Sequence, residues 1–433
     1  MKKILLCLFY LCFILAGYKL SNAQVKTSPD EHLKFVLILT RHGVRSPTWA
    51  NTRLDEYAKD PWPVWPVAPG LLTAHGKMLM TQFGSYYRAS FEAKGLLSSE
   101  GCADAKAVFI YADTDQRTLE TGRGLADGLL SGCTVDIHSA ALGTQDATFH
   151  PGGRIGKPDP QLAYSAVAGR MGGDAAALLP AYQMSLEAMQ QILIGCTAHD
   201  CKPEGKKDLL GIPASMMQGS GDHLTDIKGP LTTAATFAED FQLEYLEGMP
   251  TTNVGWGRVD EDKMRAFMAL HAASSELIQR TPYVARVKAS NLLNHILRTL
   301  EQAEDGTPVT GAIGTPGDKL TLLVGHDTNI ANVAALLDLH WLINGYQRDD
   351  AAPGGALVFE LWQRAGQGDF VKAYYTVQTP NQMRSGLPLS LVAPPSKASL
   401  FLPACSRARE DAPCAWKDFQ VVVTKSIDSS FVQ

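Results

Sequence analysis

Past its first 23 residues the sequence holds no apolar stretch approaching the about 20 residues needed to cross a bilayer, so a helical membrane protein is excluded. Basic residues are in deficit, with 39 Lys and Arg against 44 Asp and Glu, a net charge of −5. That balance argues against nucleic acid as a partner. No internal repeat and no low-complexity tract occurs, which removes solenoids and disordered tails from consideration. What remains is a chain of 433 residues, 45% hydrophobic and 19% charged, long enough for two lobes around a substantial core.

The first residues differ from the rest. Lys2 and Lys3 precede an apolar run from Ile4 to Gly17, and Ser21-Asn22-Ala23 offers small residues for cleavage before Gln24. This is the three-part pattern of a secretory signal over residues 1–23. The run is too short for a membrane anchor and Lys19 closes it. Tyr18 stands after Ala16-Gly17 where a lipoprotein would need cysteine, so a soluble periplasmic or secreted protein with no membrane contact after cleavage is expected. Loss of three lysines and no acid takes the formal charge from −5 to −8.

Two of the eight cysteines leave with the leader. The six that remain, an even number in an oxidising compartment, are expected to pair. Closeness along the chain favours Cys102 with Cys133, Cys196 with Cys201, and Cys405 with Cys414. Cys196, His199 and Cys201 form a weaker metal candidate, because zinc needs a fourth ligand that the segment does not supply.

Short β-branched and aliphatic runs at 34–40, 107–112, 320–324, 356–361 and 371–377 predict buried strands. Helical spacing of apolar residues appears at 75–94, 175–194, 231–246 and 262–279. Strands separated by helices imply an α/β fold with a largely parallel sheet flanked by helices. The alanine-, leucine- and methionine-rich middle predicts an inserted, mostly helical domain at 159–283. The α/β catalytic domain is then discontinuous, built from 24–158 and 284–433.

The chemistry concentrates at two strand ends, where open α/β sheets place ligands. The segment RHGVRSPT puts Arg41 and Arg45 around His42, and five specified residues within 41–47 make a demanding coincidence. An imidazole attacking phosphorus must pass anionic oxygens, and guanidiniums neutralise them with paired donors. Gly43 is expected to let the backbone approach substrate. In the second segment, GHDTN, Asp327 is placed to protonate a leaving alkoxide and His326 to hydrogen-bond the phosphate. Arg117, in YADTDQRTLETGR, offers a third phosphate clamp.

At these residues the chain resembles the histidine acid phosphatase branch of the phosphoglycerate-mutase-like superfamily, and within it the bacterial periplasmic phytases and acid phosphatases. WPVWPV at 62, LLTAHG at 71, ADTDQRT at 112, GMP and GWGR at 248–258, QRTPYVAR at 279 and PGGALVFE at 353 support the two specific motifs. The resemblance implies His42 as nucleophile, Asp327 as proton donor, and Arg41, Arg45, Arg117 and His326 as phosphate ligands. It also implies that Thr48 and Glu239 face substrate and that neither metal nor organic cofactor is used. The expected partner is a small phosphate monoester substrate, and the protein is expected to be a monomer.

The sequence departs from that family in two places. Trp49 stands where phytases often carry lysine, removing a charge suited to a multiply phosphorylated ring. No cysteines remain for the fourth disulfide that relatives use to tie down the C-terminal tail, so a looser tail is expected. Phytate or broad organic-phosphate hydrolysis is the first reading. A narrow glucose-1-phosphatase-like enzyme, a phosphotransferase or mutase, and a non-catalytic phosphate-ester binder are the alternatives.

Overall fold

The computed structural model describes residues 30–99, 101–196 and 203–433. The expected leader and its cleavage site lie outside them, and so does the pairing of Cys196 with Cys201. Ten strands and eleven α-helices occur among the described residues. The predicted runs at 34–40 and 107–112 are β1 (Glu31–Arg41) and β2 (Val108–Ala112), and a short β3 (Ile137–His138) follows. β4 (Ser215–Ser220) and β5 (His223–Lys228) form a hairpin of their own. Then come β6 (Leu320–Gly325), β7 (Ala356–Arg364), β8 (Gly368–Val377), β9 (Ser396–Ser399) and β10 (Cys414–Ala415).

One eight-stranded sheet runs in the order β10-β8-β7-β1-β6-β2-β3, with β9 also on β8. Its β1, β6, β2 and β3 are parallel, and β7 through β10 continue it antiparallel. β1 is buried without a break from Phe35 to Arg41 because helices cover both faces. Its odd residues Phe35, Leu37 and Leu39 share one core with Leu323, Leu357 and Phe359. Its even residues Val36 and Ile38 join Ile110, Leu322 and Val324 in another. This period of two is what a strand imposes.

The helices are α1 (Asn51–Leu54), α2 (Ala74–Ala93), α3 (Gln116–Leu129), α4 (Pro160–Arg170), α5 (Leu179–Ile194) and α6 (Pro230–Leu246). The rest are α7 (Glu261–Gln279), α8 (Pro282–Asp305), α9 (Asp327–Leu336), α10 (Pro380–Ser385) and α11 (Trp416–Ser426). Residues of α2 and α3 fill the even-residue core, and residues of α8, α9 and α11 fill the other. A third core joins α4 to α7 with Leu54, Trp62 and Phe431. Inside it Trp62 stacks on Phe237 and Phe241.

Three features differ from expectation or refine it. The hairpin of β4 and β5 interrupts an otherwise helical middle; it turns on Gly221-Asp222, with Gly221 at φ +62°, a two-residue turn that favours glycine. The C-terminal tail is not loose. Phe431 is buried against Tyr283, while Ser290 and Asn291 accept the backbone N–H groups of Asp428 and Gln433 at 3.0 and 3.1 Å. Hydrogen bonds and one aromatic anchor thus hold the tail without a disulfide. The pairs Cys102–Cys133 and Cys405–Cys414 are formed, with Cα separations of 5.5 and 5.2 Å.

Candidate active site

Three loops meet at the carboxyl ends of adjacent parallel strands. Arg41 of β1 lies beside Gly325 of β6 in register, so His42 and His326 emerge next to each other. The His42 N–H donates to Gly325 O at 3.0 Å, and the Asp113 N–H donates to Val324 O at 3.0 Å. The His42 and His326 ring centroids are 5.7 Å apart. A Cβ on Gly43 would press on Met80, the Gly76 carbonyl and Leu72 at 3.0 to 3.2 Å, so the first turns of α2 and the chain leading into it pack closely against this glycine.

His42 is buried, and its Nδ1 lies 2.9 Å from Gly43 O. A carbonyl only accepts, so Nδ1 carries the proton and Nε2 keeps its lone pair. Burial, then the charges of Arg41, Arg45 and Arg117, hold this imidazole well below the usual histidine range. It is therefore neutral, as a nucleophile must be.

The arginines are fixed differently. Arg41 donates to Ala351 O at 2.9 Å and pairs with Glu239, whose other oxygen takes Arg45 at 3.0 Å. Burial would raise the Glu239 carboxyl, but the Arg45 and Arg41 charges outweigh it and hold the group far below the usual carboxylate range. Arg117, in the first turn of α3, pairs with Asp115 at 2.6 Å and faces His326 Nδ1 at 3.4 Å. The Nε atoms of Arg41 and Arg117 are buried with no hydrogen-bond partner among the described residues. The cluster is under-satisfied in acceptors, the condition an incoming anion relieves.

His326 caps the N-terminus of α9 and Asp327 is that helix's first residue. His326 Nε2 donates to Asp113 at 2.6 Å. Burial pushes the Asp327 carboxyl up, yet Arg41 leads the charges that leave it below its ordinary value. Thr48 and Arg117 flank Gly70: a Cβ on that glycine would lie 3.9 and 4.0 Å from them. The Arg53 guanidinium sits 3.4 Å above the Trp49 ring, so a positive charge is present beside position 49 after all. Pro47, Trp49 and Trp65 line an adjoining cavity of about 270 Å³.

The structure thus brings together His42, Arg41, Arg45, Arg117, His326, Asp327 and Glu239, with Thr48 at the edge. Sequence reasoning missed His150, Asp222 and His271. His150 bonds Asp113, and His271 lies with Glu239 and Asp327, each offering one atom within 4.8 Å of the others. Asp113, Asp115, His150 and His326 are equally close. Asp113, Asp115 and Glu239 are already engaged by guanidinium or imidazole donors, and neither group is assigned a metal.

Residues 32–168 and 231–376 match the family described as the histidine phosphatase superfamily (branch 2). Phytase AppA of Escherichia coli K12 is 33% identical, over 94% of each chain. Glucose-1-phosphatase of Providencia rettgeri is 30% identical over 99% of each. The solved phytase of Hafnia alvei superposes with a TM-score of 0.86 at 32% identity, covering 94% of this chain and 100% of that one.

Proposed function

The chain belongs to branch 2 of the histidine phosphatase superfamily, a histidine acid phosphatase that hydrolyses phosphate monoesters, and from that membership we propose how its residues divide the work. His42 Nε2 attacks phosphorus in line while Arg41, Arg45 and Arg117 take up the charge on the non-bridging oxygens. Asp327 gives its proton to the leaving oxygen, a phospho-histidine forms, and water activated by the same carboxylate releases phosphate. Arg41 leads the charges that, against its burial, favour the ionised form of Asp327. A bound phosphoryl anion offsets Arg41 and returns the carboxyl to a range where it carries that proton.

The observation that carries this reading is the commitment of His42 Nδ1 to Gly43 O, which leaves Nε2 as a free lone pair among three guanidiniums. His42→Ala is expected to lower phosphate release by about 10⁴-fold or more with an unchanged melting temperature. Substantial activity in that folded variant would sink the mechanism.

The substrates are organic phosphates that include phytate, in keeping with relatives named phytase. Arg53 over Trp49 supplies charge for a second phosphate of the ring. Phosphate release from phytate, glucose 1-phosphate and an aromatic ester, measured side by side, tests this; confinement to glucose 1-phosphate would favour the narrow alternative. The protein acts as an exported monomer without nucleic acid, a reading supported by its acidic charge and by two disulfides that suit an oxidising compartment. None of the described helices is long and apolar enough to cross a membrane. Residues 24–158 and 284–433 form the catalytic domain and 159–283 the cap, because none of the sheet's strands falls within 159–283.

A further inference from the structure

We propose that His150 is a positioning residue for His326: the two imidazoles share one Asp113 oxygen, and the charge on His150 governs how readily His326 takes the second proton with which it grips a phosphoryl group. The proposal rests on the phosphatase reading of the pocket and adds to it a residue that no motif contains.

Asp113 Oδ2 accepts from His326 Nε2 at 2.6 Å and from His150 Nε2 at 2.9 Å, while Oδ1 accepts the Thr114 N–H at 2.8 Å. The carboxylate is saturated and cannot turn. On its far side His150 Nδ1 faces Asp222 Oδ2 at 3.6 Å, and Asp222 Oδ1 accepts the Gly152 N–H at 3.0 Å. A carboxylate faces each ring nitrogen, at hydrogen-bond distance for Nε2 and at 3.6 Å, an ion-pair distance, for Nδ1, and the two negative charges favour the imidazolium. Burial works against that charge, but the bonds to Asp113 and Asp222 outweigh it and raise His150 to about 9.

His326 is in the opposite condition. Burial comes first, and Arg117 and His150 add to it; together they outweigh Asp113 and hold His326 below its usual value. It carries one proton, on Nε2, and presents Nδ1 to Arg117 as an acceptor. To bind a phosphoryl oxygen, Nδ1 must gain a proton, which an ester arriving as its monoanion supplies from its own P–OH, becoming the dianion. Asp113 favours that transfer and His150 opposes it, their rings lying only 5.0 Å apart.

Asp327 follows His326 in the chain and His42 faces it with ring centroids 5.7 Å apart, and both feel its charge. Asp115 lies 3.7 Å from His326 but is paired with Arg117. Lys288 of α8 acts on Asp222 from behind the hairpin turn. His150 therefore acts as a counterweight that keeps a fourth cation out of the pocket until an anion has entered. Because Asp222 lies in the turn between β4 and β5, this counterweight also ties the hairpin to the catalytic strand ends.

The test uses the full chain and inorganic phosphate as probe, with its dissociation constant measured against pH. In His150→Asn, which keeps a donor to Asp113 without the charge, the pH at which phosphate binding is lost moves up by about one unit. Asp222→Asn leaves His150 with a single carboxylate and moves the limb the same way by less. His150→Arg, whose guanidinium keeps the positive charge, retains the wild-type limb. Identical binding profiles in the two Asn variants, whatever their melting temperatures, or a downward move in either, overturn the proposal. Asp222→Asn carries the test alone if His150→Asn does not fold. A wild-type chain that binds no phosphate defeats the phosphatase reading instead, so the two failures are distinguishable.

Discussion

Two clusters of buried charge sit on the same sheet and are built on opposite terms. At Glu360 of β7, on the face covered by α2, one carboxylate receives Lys94 at 2.5 Å, the Trp362 indole at 2.9 Å and the Tyr374 hydroxyl at 3.0 Å. Every acceptor has a donor. At the strand ends, three guanidiniums surround His42 with Glu239 between two of them, and the Nε atoms of Arg41 and Arg117 have no partner among the described residues. Saturated charge holds a fold together, whereas charge left short of partners is held in readiness for a ligand at some expense of stability.

The sharpest way to break that contrast is to remove one cation from the unsatisfied side. Arg117→Ala should lower kcat/KM by about 10²–10³-fold, and the melting temperature should stay level or rise because burial, with the Arg45 charge, outweighs the pairing with Asp115. A marked loss of stability with activity retained would show that the pocket is a structural cluster like the other. Phosphate release and a thermal melt on one preparation settle it.

The converse substitution is Glu360→Gln. Burial pushes that carboxyl up, but Lys94 and Lys397 outweigh it and hold it at about 2 against an ordinary 4.5. A depressed acid contributes stability that is fully present above pH 4.5 and is lost as pH falls through about 2. By linkage this amounts to about 3 kcal/mol at pH 7. The variant should lose roughly that much in a denaturant titration at pH 7, with kcat/KM unchanged and the deficit closing in strong acid. The smallest effect belongs to Arg53→Ala. An exposed ion pair contributes about 0.2–1 kcal/mol, so loss of the Arg53 contact with a ring phosphate should raise KM for phytate by up to about fivefold while KM for an aromatic ester stays the same. An equal rise for both would remove Arg53 from substrate recognition.

What could be read from the sequence and what could not divides along a physical line. RHGVRSPT and GHDTN are continuous segments in which a strand, its turn and its reactive side chains are neighbours in the chain, so local pattern carried both the fold and the chemistry. The same holds for α6 and α7, whose apolar spacing located them to within a residue or so. His150, Asp222 and His271 are single residues in a loop, a hairpin turn and a helix, brought to the site only by packing. Nothing adjacent to them signals it. β4 escaped because its residues 215–220 are largely exposed and show no clean alternation of buried and exposed positions. The tail was misjudged because one buried phenylalanine and a few backbone hydrogen bonds leave a fainter mark in sequence than a pair of cysteines.

β1 lies in the middle of the sheet, yet both of its neighbours, β6 and β7, begin about 280 residues or more after it. As the chain leaves the ribosome, KFVLILT must therefore wait, apolar and unpaired, until most of the protein has been made. So distant a partnership makes folding slow and exposes the segment to association with other chains. Lys34 and Arg41 bracket the run and act as charged gatekeepers against such pairing. Arg41 then holds two posts: a guard on a sticky strand during synthesis and, in the proposed mechanism, a ligand for phosphate once the sheet has closed around it.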